Sequence, residues 1–371
     1  MSTRFEREIR EQPAALARLL ADGRAAVAEA AAAIRAFGPR FVVTAARGSS
    51  DNAARYAKYL LGARNRLVVS LGAPSLVTLH GTPPALQDAL VLGISQSGES
   101  PDIVALVEEG RRQGALTVAL CNRPESPLGR AAAHVIDLCA GPEQAVAASK
   151  SYSAELMALA MLSTAMAAPA ASRGAVAPQK DGDVRHDSDG AWRALDAIPD
   201  AVERTLALVT PDALASAAAT IGRADRILVL GRGFHFATAF EVALKIKETT
   251  GAMADPYATP DLFHGPLAMI GPGLPAVVVA HTGAAFADAK AVLADLAARG
   301  AEVVPISDAP GLGGGSAGRP PAILMTAPGV PEWLSPITAI VPGQLLALTL
   351  AVGRGLDPDR PRGLSKVTRT R

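Results

Sequence analysis

The chain has 371 residues, which is enough for two domains that each bury a core. It carries 36 Lys and Arg against 35 Asp and Glu, a balance that gives no electrostatic basis for binding nucleic acid or an anionic membrane. Cys121 and Cys139 are too few for a disulfide framework or a zinc site, and the charged N-terminus lacks the apolar core of a secretory signal. We therefore expect a cytoplasmic protein that holds any phosphate group locally.

The first half of the chain alternates between strand-like and helix-like segments. Residues 5–37 have an apolar pattern with helical spacing, which predicts one or two leading helices. Short β-branched runs separated by helical segments then indicate a parallel sheet with both faces covered. The predicted strands are 41–44, 67–70, 89–94, 116–121 and 134–138.

The second half repeats the first at a spacing of about 185 residues. Arg47-Gly48 corresponds to Arg232-Gly233, and Gly98 corresponds to Gly283. The predicted strands of this half are 227–230, 276–280, 302–306 and 322–325. The repeat predicts a duplicated α/β unit whose second copy, lacking the serines, is not expected to bind phosphate.

Three segments outside the repeated pattern complete the organisation. Residues 167–190 are rich in Ala, Pro, Gly, Ser and charged residues and show no periodicity, which predicts a linker. Residues 311–321 are rich in Gly, which predicts an insertion within the second domain. The apolar stretch 334–353 contains two prolines, which favours a buried strand, loop and helix over a membrane span. The predicted boundaries are 1–37 for the leading helices, 38–168 for the first domain, 169–192 for the linker, 193–355 for the second domain and 356–371 for a polar tail.

Two loops of the first domain concentrate hydroxyl groups where strands end and helices begin. One spans 95–100 and the other 48–52, and the first precedes a helix with Pro101 in its opening turn. A helix N-terminus favours an anion, so these loops suit a compact dianion such as a sugar phosphate. The alternative is that their side chains only cap helices, although each loop offers more hydroxyls than a cap requires. A third loop of small residues, 145–151, is a weaker candidate for backbone contacts.

A charged helix characterises the second domain. Spacings of four and three place Glu241, Lys245 and Glu248 on one stripe of a helix. Such a stripe is commonly a solvated set of salt bridges, but a position near a pocket allows acid–base chemistry. His264 stands in a turn before Gly265-Pro266, where it suits proton transfer. The histidines at positions 80, 134 and 186 are interpreted as surface or structural residues.

Taken together, these motifs resemble the tandem sugar isomerase (SIS) domain family. Within it they are similar to the isomerase half of glucosamine-6-phosphate synthase and to isomerase-type glucosamine-6-phosphate deaminases. The resemblance rests on segments 47–50, 95–100, 146–150, 241–248, 264–266 and 361–366. It implies two tandem SIS domains, each a parallel sheet between helices with the doubly wound, flavodoxin-like order.

The resemblance also implies roles for individual residues. Glu248 would move a proton between C1 and C2 of the sugar, and we expect Lys245 to orient or polarise the sugar near O1 or O5. His264 would assist ring opening in the neighbouring subunit's site, which implies a homodimer. Lys366, in a tail closing over the sugar, would form a Schiff base or cap the site. The implied phosphate- and sugar-binding residues are Gly48, Ser49, Ser50, Ser95, Gln96, Ser97, Ser100, Val146 and Ala147, without metal or cofactor.

Departures from the family pattern leave the substrate open. No glutaminase domain precedes the first repeat, so we do not expect ammonia to come from glutamine. Phe263 and Gly363 stand where the synthase has polar residues. These two differences leave the identity of the sugar open, more than the chemistry. The leading hypothesis is an amino-sugar-6-phosphate deaminase acting on glucosamine 6-phosphate. The alternatives are a deglycase of sugar-phosphate–amino-acid adducts and a non-catalytic sugar-phosphate sensor.

Overall fold

The computed structural model describes residues 2–167, 188–312 and 322–366. These residues form two compact units. The first-sheet unit contains Ala14–Pro142 and Ser151–Ala197, and the second-sheet unit contains Met1–Pro13, Glu143–Lys150 and Ile198–Lys366.

The elements up to the end of the first repeat are α1 (Arg4–Arg10), α2 (Gln12–Asp22), α3 (Arg24–Phe37), β1 (Phe41–Ala45), α4 (Ser49–Asn65), β2 (Val68–Leu71), α5 (Ser75–Thr78), β3 (Ala89–Ser95), α6 (Pro101–Arg112), β4 (Leu116–Cys121), α7 (Pro127–Ala131), β5 (His134–Asp137) and α8 (Lys150–Met166). The later elements are α9 (Ser188–Asp196), α10 (Ile198–Leu208), α11 (Pro211–Ile221), β6 (Arg226–Gly231), α12 (His235–Thr250), β7 (Met253–Ala258), α13 (Thr259–Leu262), the 3-10 turn Pro266–Met269, β8 (Pro275–Val279), α14 (Phe286–Ala298), β9 (Glu302–Ser307), β10 (Leu324–Met325) and α15 (Ser335–Gly353).

Both sheets are parallel and have the same strand order. The first runs β2-β1-β3-β4-β5, and the second, read from its β7 edge, runs β7-β6-β8-β9-β10. Equivalent elements keep the offset of the sequence repeat, because α8 begins at Lys150 and α15 at Ser335, 185 residues later. This is the doubly wound, flavodoxin-like order, so the predicted fold is confirmed for both copies.

Burial on both faces of the sheet explains why the sequences of the central strands are continuous apolar runs. Every residue of β3 and of β8 is buried, as expected for strands covered by helices on both faces. In the first sheet Val91 packs in one cluster with Ile103 and Leu106 of α6. In the second, Val278 packs with Leu293 of α14. These clusters fix the strand ends from which the loops described below emerge.

The sequence analysis did not predict strand β7. β7 contains Asp255 and Pro256, residues that are rare in strands, so its sequence lacks the β-branched signal. The strand forms because it lies at the edge of the second sheet and pairs only with β6, where a missing backbone N–H is tolerated.

The apolar stretch 334–353 was predicted incorrectly in its secondary structure. It forms one helix, α15, with Pro336 in the first turn and Pro342 inside. Pro342 cannot donate to the carbonyl four residues earlier, yet the surrounding core keeps the helix intact. Its length and composition alone would allow a membrane span, but 83% of its most apolar window is buried inside the protein.

The segments between the repeats are only partly described. Of the predicted linker 169–192, residues 188–192 belong to helix α9, whereas 169–187 lie outside the described residues. In the predicted insertion 311–321, only 311 and 312 are described, and the tail is described as far as Lys366.

Candidate functional site

The two hydroxyl loops of the first-sheet unit emerge side by side. They follow β1 and β3, which are neighbours in the sheet and end at the same edge. Arg47, before one loop, donates from Nε to Oδ2 of Asp102, after the other loop, at 2.8 Å, and its Nη2 lies 2.8 Å from the same oxygen in an ion pair. Asp102 is buried, whereas the Arg47 side chain is 49% exposed. The ion pair therefore braces both loops and leaves part of the guanidinium accessible.

The loop between β3 and α6 keeps hydrogen-bond donors available. Ser95 Oγ accepts from the backbone N–H of Gly98 at 3.1 Å, and Ser97 Oγ accepts from Glu99 at 3.3 Å. Among the described residues, no acceptor takes the hydroxyl hydrogen of Ser95 or Ser97. Ser100 is the N-cap of α6 and makes no capping bond with its side chain. These hydroxyls gather at the N-terminus of a twelve-residue helix, where an anion is favoured.

Two glycines in these loops are required by the backbone. Gly48 has a φ of 57° and Gly98 a φ of 66°, backbone angles that residues with a Cβ rarely adopt. A Cβ at Gly98 would also lie 2.0 Å from Ser126 Oγ, so the turn has no space for one. The close approach of the backbone keeps the loop compact around its donors.

Ser50, a predicted phosphate-binding residue, makes a contact inside the protein. Its hydroxyl donates to Oε1 of Glu155 at 2.7 Å, and both residues are buried. Because a hydroxyl has one hydrogen, Ser50 cannot donate to a phosphate in this arrangement. Gly48 and Ser49, which open the loop and α4, remain the candidates on this side, with Gln96 in the neighbouring loop.

The equivalent loop of the second copy is filled by the protein's own carboxylates. The backbone N–H of Thr282 donates to Asp308 at 2.8 Å, and that of Ala284 donates to Glu332 at 3.0 Å. A phosphate would have to displace these carboxylates and face their charge. The contacts give a physical reason for the expectation that this copy does not bind phosphate.

A buried histidine pair in the second-sheet unit was missed by the sequence analysis. The rings of His235 and His281 lie 5.4 Å apart, and His235 Nε2 is 2.9 Å from Ser335 Oγ. Burial lowers the pKa of His235 well below its ordinary value of 6.5, and the neighbouring His281 lowers it further. His235 is therefore a neutral packing residue. The only sequence signal was its place in the repeated glycine loop.

The charged stripe of α12 is buried. Lys245 Nζ lies 3.3 Å from Glu241 Oε1 and donates to Glu248 Oε2 at 2.6 Å. The side chains of Glu241 and Lys245 are fully buried, whereas that of Glu248 is 21% exposed. Burial opposes the charge on Lys245, but the two carboxylates outweigh it and raise the pKa of the ammonium above its ordinary value. The alternative of a solvated stripe is excluded, and Glu248 is the accessible end of an ion triad.

Glu248 also lines a groove of about 690 Å³ between the end of α12 and the tail. Its polar lining comes from Lys247, Glu248, Thr249, Thr250, Asp357, Arg360 and Arg362, and its apolar lining includes Leu244, Leu356 and Leu364. A carboxylate held by a buried ammonium and open to a groove can accept and return a proton.

The remaining predicted residues of the second-sheet unit lie in two places. Lys366 donates from Nζ to Oε2 of Glu143 at 2.7 Å, in the same loop that carries Val146 and Ala147. His264 is exposed in the turn after α13. In the part of the chain that the structure describes, no hydrogen bond or ion pair joins His264 to Glu248, Lys245 or Lys366.

These features define a class of protein with two flavodoxin-like repeats. One repeat carries hydroxyl-rich loops at a helix N-terminus, and the other carries a buried ion triad. The model of the SIS domain family matches residues 39–165 and 220–353, which correspond to the two sheets. The chain belongs to the SIS domain family.

Relatives and solved structures agree with this assignment. The chain is 32% identical to a glutamine–fructose-6-phosphate aminotransferase (isomerizing) of Brucella abortus over 88% of this chain and 51% of the relative, so it spans about half of that protein. A proposed phosphosugar isomerase from Silicibacter pomeroyi is 33% identical, with a TM-score of 0.81 over 96% of this chain and 100% of that one. A glucosamine-6-phosphate deaminase from Thermotoga maritima shares the fold, with a TM-score of 0.74, 18% identity and coverage of 99% and 100%.

Proposed function

We propose that the protein is a phosphosugar isomerase that deaminates an amino-sugar 6-phosphate, most simply converting glucosamine 6-phosphate and water to fructose 6-phosphate and ammonia. The observation that carries the proposal is the triad of α12, in which the buried Lys245 holds the partly exposed carboxylate of Glu248 at 2.6 Å. Isomerisation requires one base that serves two adjacent carbons, and a fixed carboxylate fulfils this requirement.

The reaction would proceed by proton transfers without an added redox step. After ring opening, Glu248 takes the proton from C2 of the open-chain sugar and returns it at C1, which converts the amino aldose to a C2 imine. Water adds to C2, and ammonia leaves with the bonding electrons of the C–N bond. Each positioned proton transfer contributes roughly 10²–10⁴ in rate. In this scheme His264 assists ring opening.

Phosphate recognition is assigned to the first-sheet unit. The unpaired hydroxyl hydrogens of Ser95 and Ser97 at the N-terminus of α6 support this assignment, together with the exposed part of Arg47. The names of the Brucella and Silicibacter relatives support a phosphosugar as the substrate class.

We also propose a homodimer in which His264 serves the neighbouring subunit. His264 has no described link to the triad of its own chain, and it is flanked by exposed apolar residues, Phe263 at 49% and Met269 at 52%. Exposed apolar side chains around a polar residue are typical of an interaction surface. A cytoplasmic location remains part of the proposal.

A deglycase is the second candidate, and the groove beside Glu248 favours it. A groove of about 690 Å³ with Arg360 and Arg362 in its lining would accommodate an acidic substituent on the sugar nitrogen. The chemistry at C1 and C2 would be the same, with an amino acid leaving in place of ammonia.

The test is ammonia release from glucosamine 6-phosphate without glutamine. Glu248→Gln removes the base and keeps the side-chain shape, and Glu203→Gln on the exposed face of α10 is the matched control. We expect release by the wild type and by Glu203→Gln, and at least a hundredfold less by Glu248→Gln, which follows the size of one lost proton transfer. Release by Glu248→Gln at the wild-type rate contradicts the assignment of the base. Activity confined to an amino-acid adduct identifies the deglycase.

A further inference from the structure

The loop Glu143–Lys150 is attached to the N-terminal helix α1 within the second-sheet unit. The Glu8 carboxylate accepts hydrogen bonds from the backbone N–H groups of Gln144 and Ala145. Glu11, just beyond α1, forms an ion pair with Lys150 at the other end of the loop. The loop therefore has a fixed backbone, and Glu143 at its start has a fixed position.

Glu143 joins this loop to the tail. Its Oε1 accepts from the backbone N–H of Ser149 at 3.0 Å, and its Oε2 accepts from Lys366 Nζ at 2.7 Å. The Glu143 side chain is fully buried, whereas that of Lys366 is 24% exposed. Hydrogen bonds between ionised groups are about twice as strong as neutral ones, so this contact is a strong attachment for the end of the tail.

The tail is also fixed at a second point. Asp359 accepts hydrogen bonds from the backbone N–H groups of Arg4 at 2.7 Å and Phe5 at 2.9 Å. The chain between the two attachments carries Arg360, Arg362 and Leu364, which line the groove beside Glu248. Helix α1, the loop and the tail thus form one closed network, and Glu143 is the link nearest the end of the tail.

We propose that Glu143 is the positioning residue for Lys366, and that its charge keeps the tail closed along the groove that contains Glu248. Removing this charge releases the lysine and the tail without changing Glu248. The consequence for turnover rests on the proposed function, whereas the attachment of the tail does not.

The attachment is tested by limited trypsin digestion of the full chain, following cleavage after the exposed Arg362 by mass spectrometry. Glu143→Gln keeps an oxygen for the Ser149 N–H but removes the charge. Glu203→Gln, on the exposed face of α10, is the matched control because it removes a carboxylate outside the loop, helix α1 and the tail. We expect cleavage about tenfold faster in Glu143→Gln and in Lys366→Met, with no further increase in the double variant. Glu203→Gln and Lys366→Arg should be cut at the wild-type rate.

Two results overturn the proposal: wild-type cleavage of Glu143→Gln, or single effects that multiply in the double variant. If Glu143→Gln does not fold, the comparison of Lys366→Met with Lys366→Arg decides, because equal cleavage of these two contradicts an ionic attachment. Kinetic measurements distinguish the attachment of the tail by Glu143 from the proposed deaminase function. Glu143→Gln should lower kcat for glucosamine 6-phosphate about tenfold with an unchanged Kd for inorganic phosphate, whereas a wild type that releases no ammonia refutes the proposed function alone.

Discussion

Replacing Lys245 by Met removes the charge at the centre of the buried ion triad. Lys245 and Glu241 are fully buried and 3.3 Å apart, so the variant leaves the Glu241 carboxylate buried without its ammonium. Breaking a buried pair in this way costs about 3–5 kcal/mol, a large fraction of the roughly 5–15 kcal/mol by which proteins are stable. We therefore expect Lys245→Met to lower the free energy of unfolding by about 3 kcal/mol or more.

Urea unfolding followed by circular dichroism measures this loss. Lys290→Met, on the exposed face of α14, is the matched control and should change stability by less than about 0.5 kcal/mol. Adding Glu241→Gln to Lys245→Met should recover about 2 kcal/mol, because it removes the buried charge that has lost its ammonium. The deficit of Lys245→Met should also shrink from about pH 7 to about pH 5, since the carboxylate left behind can take up a proton. A loss below about 1 kcal/mol, or a deficit that grows on acidification, refutes a buried charged triad.

Three further predictions concern the loops and the histidine pair. Ser97→Ala removes one donor to a charged group and should weaken sugar-phosphate binding by about 1.5–3 kcal/mol in calorimetry, with little change in kcat; an unchanged Kd would contradict the assigned loop. Gly98→Ala forces a residue with a Cβ into a strained backbone conformation that costs about 1–3 kcal/mol, so it should weaken phosphate binding further than Ser97→Ala. Equal affinities of the two variants would show that the turn accommodates the Cβ. Because the folded pKa of His235 lies below 6.5, its contribution to stability is present above that pH and is lost on acidification, by up to about 1.4 kcal/mol per pH unit. His235→Asn should flatten this acid limb in urea titrations, and an identical slope would exclude a buried neutral imidazole.

The sequence was sufficient for the fold because its signals are local and repeated. Buried strands such as β3 and β8 are continuous apolar runs, and the constant offset identified their equivalence. The hydroxyl loops were found for the same reason, since each directly follows a strand. β7 was missed because its Asp255 and Pro256 are accommodated by the sheet edge, which is a property of the tertiary structure.

The contacts that complete the candidate site join distant residues and leave no local pattern. Arg47 and Asp102 are 55 positions apart, and Glu143 and Lys366 are 223 apart. Neither pair could be inferred from spacing or composition. Similarly, the sequence could not indicate that Ser50 donates to Glu155, because Glu155 lies in another helix, 105 positions away. Helical spacing placed Glu241, Lys245 and Glu248 on one stripe, but only packing shows that the stripe is buried.

The central claim is that Glu248 transfers a proton between C1 and C2 of a phosphosugar, and solvent exchange measures this step without ammonia. The protein is incubated with fructose 6-phosphate in D₂O, and deuterium at C1 is followed by NMR. The account predicts incorporation by the wild type and by Glu203→Gln, and none above background by Glu248→Gln that still binds the sugar phosphate. Exchange at the wild-type rate by Glu248→Gln would contradict the account, because the proton would then be moved by another group.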